Sequence, residues 1–231
     1  MTVYSQGFSE VEANRIARKK HKKEIDRAAK AIRDENRRGT TAWTDGSKFP
    51  DRTLNAQMEA QYVAAVTNRL FGKSMQNHPS ITVLTHGDGS VSVGFSGEMD
   101  VNLTDQVFTE LTRLQHERGE TALNTQYRVS TEGMPKELLT KPKVSLESKS
   151  IPPALNNCSE PKAMAAAHGS GEAITGMDTV WRTDLRDGEK HAPYHHKYRY
   201  RKIELPWVYE QMGPCRTCKT NKGAYFNYAT S

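Results

Sequence analysis

Two strings decide the fold: Asn157-Cys158-Ser159-Glu160-Pro161-Lys162 and Met212-Gly213-Pro214-Cys215-Arg216-Thr217-Cys218-Lys219. Pro161 suits the first turn of a helix, where a missing amide donor costs nothing, and Gly169 is a natural terminator, so the first string opens a short helix. Cys158 then stands at a helix N-terminus, where partial positive charge stabilises a thiolate. Glu160 falls in the cap or first turn, where its side chain can face the same pocket. Pro214 signals a second helix start, and Cys215 and Cys218, three apart, share one face of its first turn. Two such starts converging on one point would gather three thiolates around a cation and leave a coordination position open.

The chain has three cysteines, an odd number, so a disulfide scaffold explains them poorly. A lone C-x-x-C is equally at home in a redox motif or a structural zinc knuckle. The combined pattern, C-x-E followed by P-C-x-x-C, uses every cysteine and points to metal. A thioredoxin-like use of Cys215 and Cys218 leaves Cys158 and Glu160 without a role. His168 ends the first helix, roughly 15 Å from Cys158 by helical rise, too far to join a site at its start. His195 and His196 offer another outcome, a closed four-ligand structural zinc without catalysis.

Working outward, residues 53–71 begin with a Thr53 cap and place Leu54, Met58, Tyr62, Val66 and Leu70 at helical spacing. Ile81–Phe95 alternates on both sides of His86-Gly87-Asp88-Gly89, as a hairpin does. The alternative reading of that turn, a phosphate loop, lacks the required length and Lys-Ser/Thr ending. A second amphipathic helix runs from a Thr104 cap through Val107, Phe108, Leu111 and Leu114 to Gly119. Residues 120–153 read as a surface loop with room for a strand. Ala173–Trp181 reads as a strand, and Ala224–Tyr228 as a short final one. Gly39–Pro50 has turn residues and no periodicity, so it reads as a linker.

Charge is distributed unevenly. Residues 1–38 carry 11 Lys/Arg against 6 Asp/Glu and residues 181–222 carry 10 against 5, whereas the remainder carries 12 against 16. Two basic regions flanking an acidic middle can hold a phosphate backbone, although either alone also suits a solvated helix face. Residues 10–38 favour helix with a poor apolar stripe, which reads as an exposed basic arm. No stretch approaches the roughly 18 apolar residues of a membrane span, and the basic N-terminus lacks the apolar segment of a secretory signal. The expectation is therefore a cytoplasmic protein in a reducing compartment, with no membrane partner.

With these residues in view, the chain resembles the zinc-dependent deaminase superfamily, whose signature is H-x-E…P-C-x-x-C. Cys158-Ser159-Glu160 stands at the first motif with Cys in place of His. The string Cys158-Ser159-Glu160-Pro161-Lys162-Ala163 is most similar to the YwqJ-like deaminases of bacterial polymorphic toxins. The resemblance implies zinc on Cys158, Cys215 and Cys218, and Glu160 as the catalytic proton carrier that is not itself a ligand. It implies hydrolytic deamination of cytosine, ahead of adenine, and a toxin role with an immunity protein as partner. Three thiolates weaken zinc as a Lewis acid unless amide donors or cations compensate, and Arg216 is a candidate, against a plain exposed role.

Two departures from the family pattern stand out. The interval between motifs is longer than usual, and the excess is Arg182–Trp207, where Tyr194, His195, His196, Tyr198, Tyr200 and Trp207 lie among seven Lys/Arg. Such interleaving suits a bound strand of DNA or RNA, and equally a hairpin. Only 13 residues follow Cys218, so the sheet is either short or completed by other segments. Asn156 and Asn157 read as loop and cap residues, or as contacts to a base at the mouth of the site.

The expected architecture is an α/β deaminase-like domain over 53–231, a mixed β-sheet with helices on both faces, preceded by a basic helical arm and linker over 1–52. The expected substrate is a base in nucleic acid, single-stranded or flipped out. The alternatives are a free nucleoside deaminase, a non-catalytic nucleic-acid-binding module with structural zinc, and an interaction protein that keeps the fold.

Overall fold

A computed structural model describes residues 41–71, 74, 78–117, 126–142, 154–181 and 210–231, all belonging to one compact unit. The basic arm, the insert at Arg182–Trp207 with His195 and His196, and the expected helix stop at Gly119 lie outside the described residues.

Helix α1 (Leu54–Phe71) starts where expected, with Thr53 Oγ1 accepting from the Ala56 amide at 3.2 Å. Of its expected face Leu54 and Val66 are buried, whereas Met58 and Tyr62 are half-buried and Leu70 is exposed; Ala60, Val63, Ala64 and Thr67 are buried in their place. Small side chains let the helix lie close to the sheet, so the larger residues flank the contact. Strands β1 (Ser80–His86) and β2 (Val91–Phe95) form the hairpin, with Val83 opposite Val93 and Ile81 opposite Phe95. Gly89 supplies the positive φ that its turn requires.

Helix α2 (Val101–Glu117) begins before Thr104: the Asp100 carboxylate accepts from the amides of Asn102 and Leu103 and is the true cap. Thr104 instead donates its hydroxyl to the Asp100 carbonyl. The loop that follows contains strand β3 (Tyr127–Ser130) and a turn of 3₁₀ helix at Lys136–Leu138. Helix α3 (Glu160–Ala167), strand β4 (Ile174–Trp181), strand β5 (Glu210–Gln211) and helix α4 (Arg216–Ala229) complete the described chain.

The five strands form one mixed sheet in the order β3-β2-β1-β4-β5, with β2 and β3 parallel and the other pairs antiparallel. Helices cover both faces. Ile81, Val83, Val93, Phe95 and Val180 pack under α1 and α2. Leu84, Ile174 and Met177 pack with α3 and α4 on the opposite face.

Ala224–Tyr228 is helical, not the expected final strand. Its aromatics favour a strand in isolation, but a helix aligns Cys218, Asn221, Tyr225 and Ala229 on one buried face, and tertiary packing prevails. The sheet is completed instead by β3 and β5. The described part of Gly39–Pro50 is irregular, as read, yet pinned to the domain. The Trp43 amide donates to the Ile174 carbonyl at 2.7 Å, and its ring meets Phe226 edge-on at 5.0 Å.

A polar network ties α1 to the edge of the sheet. Arg52 Nε lies 3.1 Å from Asp178 on β4, and an Arg52 guanidinium nitrogen donates to the Met212 carbonyl. Gln211 Nε2 donates to Asp178 at 3.1 Å and to Gln57 at 3.0 Å. Burial pushes the Asp178 carboxyl up to about 7, against the pull of Arg52, the Thr179 amide and Gln211. The folded state therefore holds this proton more tightly than the unfolded chain does, so this group's contribution to stability is full below about pH 4 and is lost progressively as pH rises to about 7. Replacing Arg52 by Met should steepen that loss. Denaturant titration should show a destabilisation of about 1 kcal/mol at pH 5, growing to about 3 kcal/mol at pH 8 as the carboxylate ionises without its partner. An equal loss at both pH values would show that the pairing does not govern Asp178.

Candidate metal centre

The first motif is placed by the fit of α3 on the sheet. Ser159 stands at the N-cap position of α3 and is fully buried; its hydroxyl is turned to the sheet, 2.8 Å from Thr82 Oγ1 and 3.0 Å from Ser80 Oγ. Thr82 in turn meets Thr179 Oγ1 at 2.8 Å, so a row of hydroxyls on β1 and β4 anchors the residue between Cys158 and Glu160. Gly94 on β2 allows the close approach: a Cβ there would stand 2.2 Å from the Ser159 carbonyl oxygen and 2.3 Å from the Ala163 nitrogen. Pro161 lies in the first turn and Gly169, with φ of 70°, follows the end of α3, as their positions predicted.

The second motif arrives from β5. The Met212 amide donates to the Thr179 carbonyl, so the strand register and Arg52 together fix the approach to Pro214. Cys215 is itself the N-cap of α4, its sulfur accepting from the Cys218 amide at 3.5 Å. Asn221 holds the far side of α4: its amide group exchanges hydrogen bonds with the backbone of Thr140 at 2.6 and 2.9 Å.

The three thiols converge as the spacing predicted. Cys158 Sγ lies 3.3 Å from Cys215 Sγ, Cys215 Sγ lies 3.5 Å from Cys218 Sγ, and all three fall within 4.8 Å of one another. Sulfurs sharing a tetrahedral zinc at about 2.3 Å stand about 3.8 Å apart, so the cluster is close to the required spacing. Thiolate donors suit zinc, among other soft-accepting metals. Cys158 and Cys215 are half-buried, whereas Cys218 is completely buried.

Charge is tightly constrained here. Hydrogen bonding of the Cys215 sulfur with the Cys158 and Cys218 thiols, and with backbone amides at the start of α4, holds its thiol far below the usual range. Cys158 and Cys218 are pushed up, chiefly because they share protons with their neighbours and then by burial. Glu160 is pushed up to about 7, first by burial and then by the charge on Cys215.

Of the other candidates, Arg216 leads α4 half-buried, while the Cys218 amide donates to Cys215 and the Tyr225 hydroxyl to Cys218. His168 stands at the far end of α3, stacked on Tyr228 at 4.1 Å. Asn156 adopts a positive φ of 63° and donates to the Met134 carbonyl at 2.6 Å, a loop-forming role. Asn156 and Asn157 also border an open cavity of about 710 Å³, lined in addition by Glu98, Glu132, Glu137 and Lys162. Lys162, which motif reading passed over, is buried and donates to the Gly97 carbonyl; burial lowers its pKa against the pull of Glu98. Gly94 and the hydroxyl row carry no local motif, and the i, i+7 spacing of Cys218 and Tyr225 is the one sequence signal that was there to find.

Comparison of the chain with models of protein families, with curated proteins and with solved structures finds no match.

The dependence of the centre on the close approach of α3 is open to test. Gly94→Ala should cost about 1–3 kcal/mol of stability and lower zinc affinity at least tenfold in titrations against a competing chelator, because Cys158 moves with the helix. Unaltered zinc affinity in a folded variant would show that the site tolerates displacement of α3.

Proposed function

We propose that this chain is a zinc-dependent hydrolytic deaminase acting on amino-bearing bases, cytosine ahead of adenine, carried in nucleic acid. The observation that carries this reading is the convergence of three thiols from two helix starts, with the buried carboxyl of Glu160 beside them. The sequence pattern C-x-E-P-K…P-C-x-x-C supports it, with the toxin-type effector role and immunity partner that this resemblance implies.

In this reading Cys158, Cys215 and Cys218 hold zinc. Bound there, zinc supplies the Lewis acidity that brings the pKa of a coordinated water toward neutrality. Glu160 does the proton work. A carboxyl pushed up to about 7 by burial can accept a proton from the attacking water and deliver it to the ring nitrogen. It then takes the second proton, from the hydroxyl newly added to the ring carbon, and passes it to the amino group, which leaves as ammonia, so that C–NH₂ is exchanged for C=O at the cost of one water. Backbone amides at the start of α4 draw charge from the Cys215 thiolate, offsetting its strong donation.

The basic segments at 1–38 and 181–222 favour a polyanionic substrate. A second reading, a free nucleoside or small amino-heterocycle, draws on the cavity that Asn156 and Asn157 border, lined by Glu98, Glu132 and Glu137 together with Lys136 and Lys162.

Mass spectrometry of base products separates these. Zinc-loaded protein is incubated with single-stranded DNA, duplex DNA, RNA, free cytidine and free adenosine, alongside Glu160→Ala. The expected result is uracil formation in a single-stranded polymer, reduced at least 10³-fold in Glu160→Ala with one zinc per chain retained. Conversion of free cytidine alone supports the second reading. No conversion in any pool, with zinc still bound, would overturn the enzyme in favour of a structural zinc.

A further inference from the structure

Tyr225 lies two helical turns beyond Cys218 on the buried face of α4 and is 1% exposed. Its ring meets Phe49 edge-on at 6.3 Å, and its hydroxyl lies 3.6 Å from Cys218 Sγ. A buried phenol group requires a hydrogen-bond partner. Here that partner is a sulfur in the cluster that could hold a metal.

The three sulfurs are served differently. Cys215 caps α4 and takes the Cys218 amide. Cys158 stands half-buried ahead of α3. Cys218 is fully buried within the first turn of α4, and its own amide is already directed at Cys215. A metal-bound thiolate has no hydrogen, so a hydroxyl in contact with it can only donate. We infer that Tyr225 is a positioning residue of the centre, whose hydroxyl donates to the Cys218 thiolate and limits how much negative charge that sulfur passes to the metal. The inference rests on the reading of the three cysteines as metal ligands. It does not require that the reaction be deamination.

The opposing account is that Tyr225 only fills the core between α4 and Phe49. Cobalt(II), titrated into the metal-free full chain under reducing, anaerobic conditions, distinguishes the two. Tyr225→Phe keeps the ring and removes the donor; Phe49→Leu loosens the packing and keeps the donor. All three proteins should bind one cobalt per chain. The sulfur-to-cobalt charge-transfer band should move to lower energy in Tyr225→Phe, because a thiolate without its donor gives up an electron more readily. In Phe49→Leu the thermal midpoint should fall while the band stays in place. A band unmoved in Tyr225→Phe, or moved equally in Phe49→Leu, would overturn the inference. Turnover in the zinc-loaded proteins reports separately: kcat should fall several-fold in Tyr225→Phe with KM unchanged. Absence of product from the unaltered protein would sink the deaminase reading while the cobalt band still decided the role of Tyr225.

Discussion

The centre depends on how closely α3 lies against the sheet. At Gly94 the backbone of the first turn of α3 occupies the space that a β-carbon would need. That approach buries Ser159, and burial obliges its hydroxyl to find partners, which Ser80 and Thr82 supply. Cys158 and Glu160 flank this anchored residue, so their positions follow from a backbone contact and a side-chain network on the strands. A loop with the same sequence would satisfy the motif without fixing its geometry. The hydroxyl row continues to Thr179 on β4, whose carbonyl receives the Met212 amide. One polar seam therefore runs from the helix carrying the first cysteine to the strand that delivers the other two.

The same packing creates an electrostatic demand. Three thiols, two of them half-buried, and a buried carboxyl are gathered together, and the hydrogen bonds on Cys215 favour its thiolate over the others. The cost of ionising the remainder appears as the raised pKa values of Cys158, Cys218 and Glu160. A divalent cation reverses that cost for the sulfurs, because thiolates are better ligands than thiols and metal binding releases their protons. Among the described residues the converging ligand atoms are the three sulfurs, and Glu160 is not one of them.

Much of this was legible in local sequence. Proline and glycine punctuation located α3, C-x-x-C at a helix start located the sulfurs, and alternation around His86–Gly89 located the hairpin. Each signal lies within one element, where chain geometry acts directly. What escaped reading depends on contacts between elements. Ala60 and Ala64 show no conspicuous apolar stripe, yet they allow α1 to approach the sheet. Tyr225 and Phe226 favour a strand until the buried face shared with Cys218 makes them helical. Asp100 outcompeted Thr104 as a cap because a carboxylate one residue before the helix reaches two free amides. Arg52 ends a segment that looked like linker, and its value is apparent only once Asp178 and the Met212 carbonyl are beside it.

The long interval between the two cysteine motifs also becomes intelligible from the register of the sheet. Trp181 at the end of β4 pairs with Glu210 at the start of β5, so the chain leaves and re-enters the described domain at neighbouring positions. The antiparallel β4–β5 contact carries the geometric requirement, reinforced by Gln211 on Asp178 and Arg52 on the Met212 carbonyl. A bound metal would add a second closure between Cys158 and Cys215, coupling the folding of two chain-remote helices to one ion.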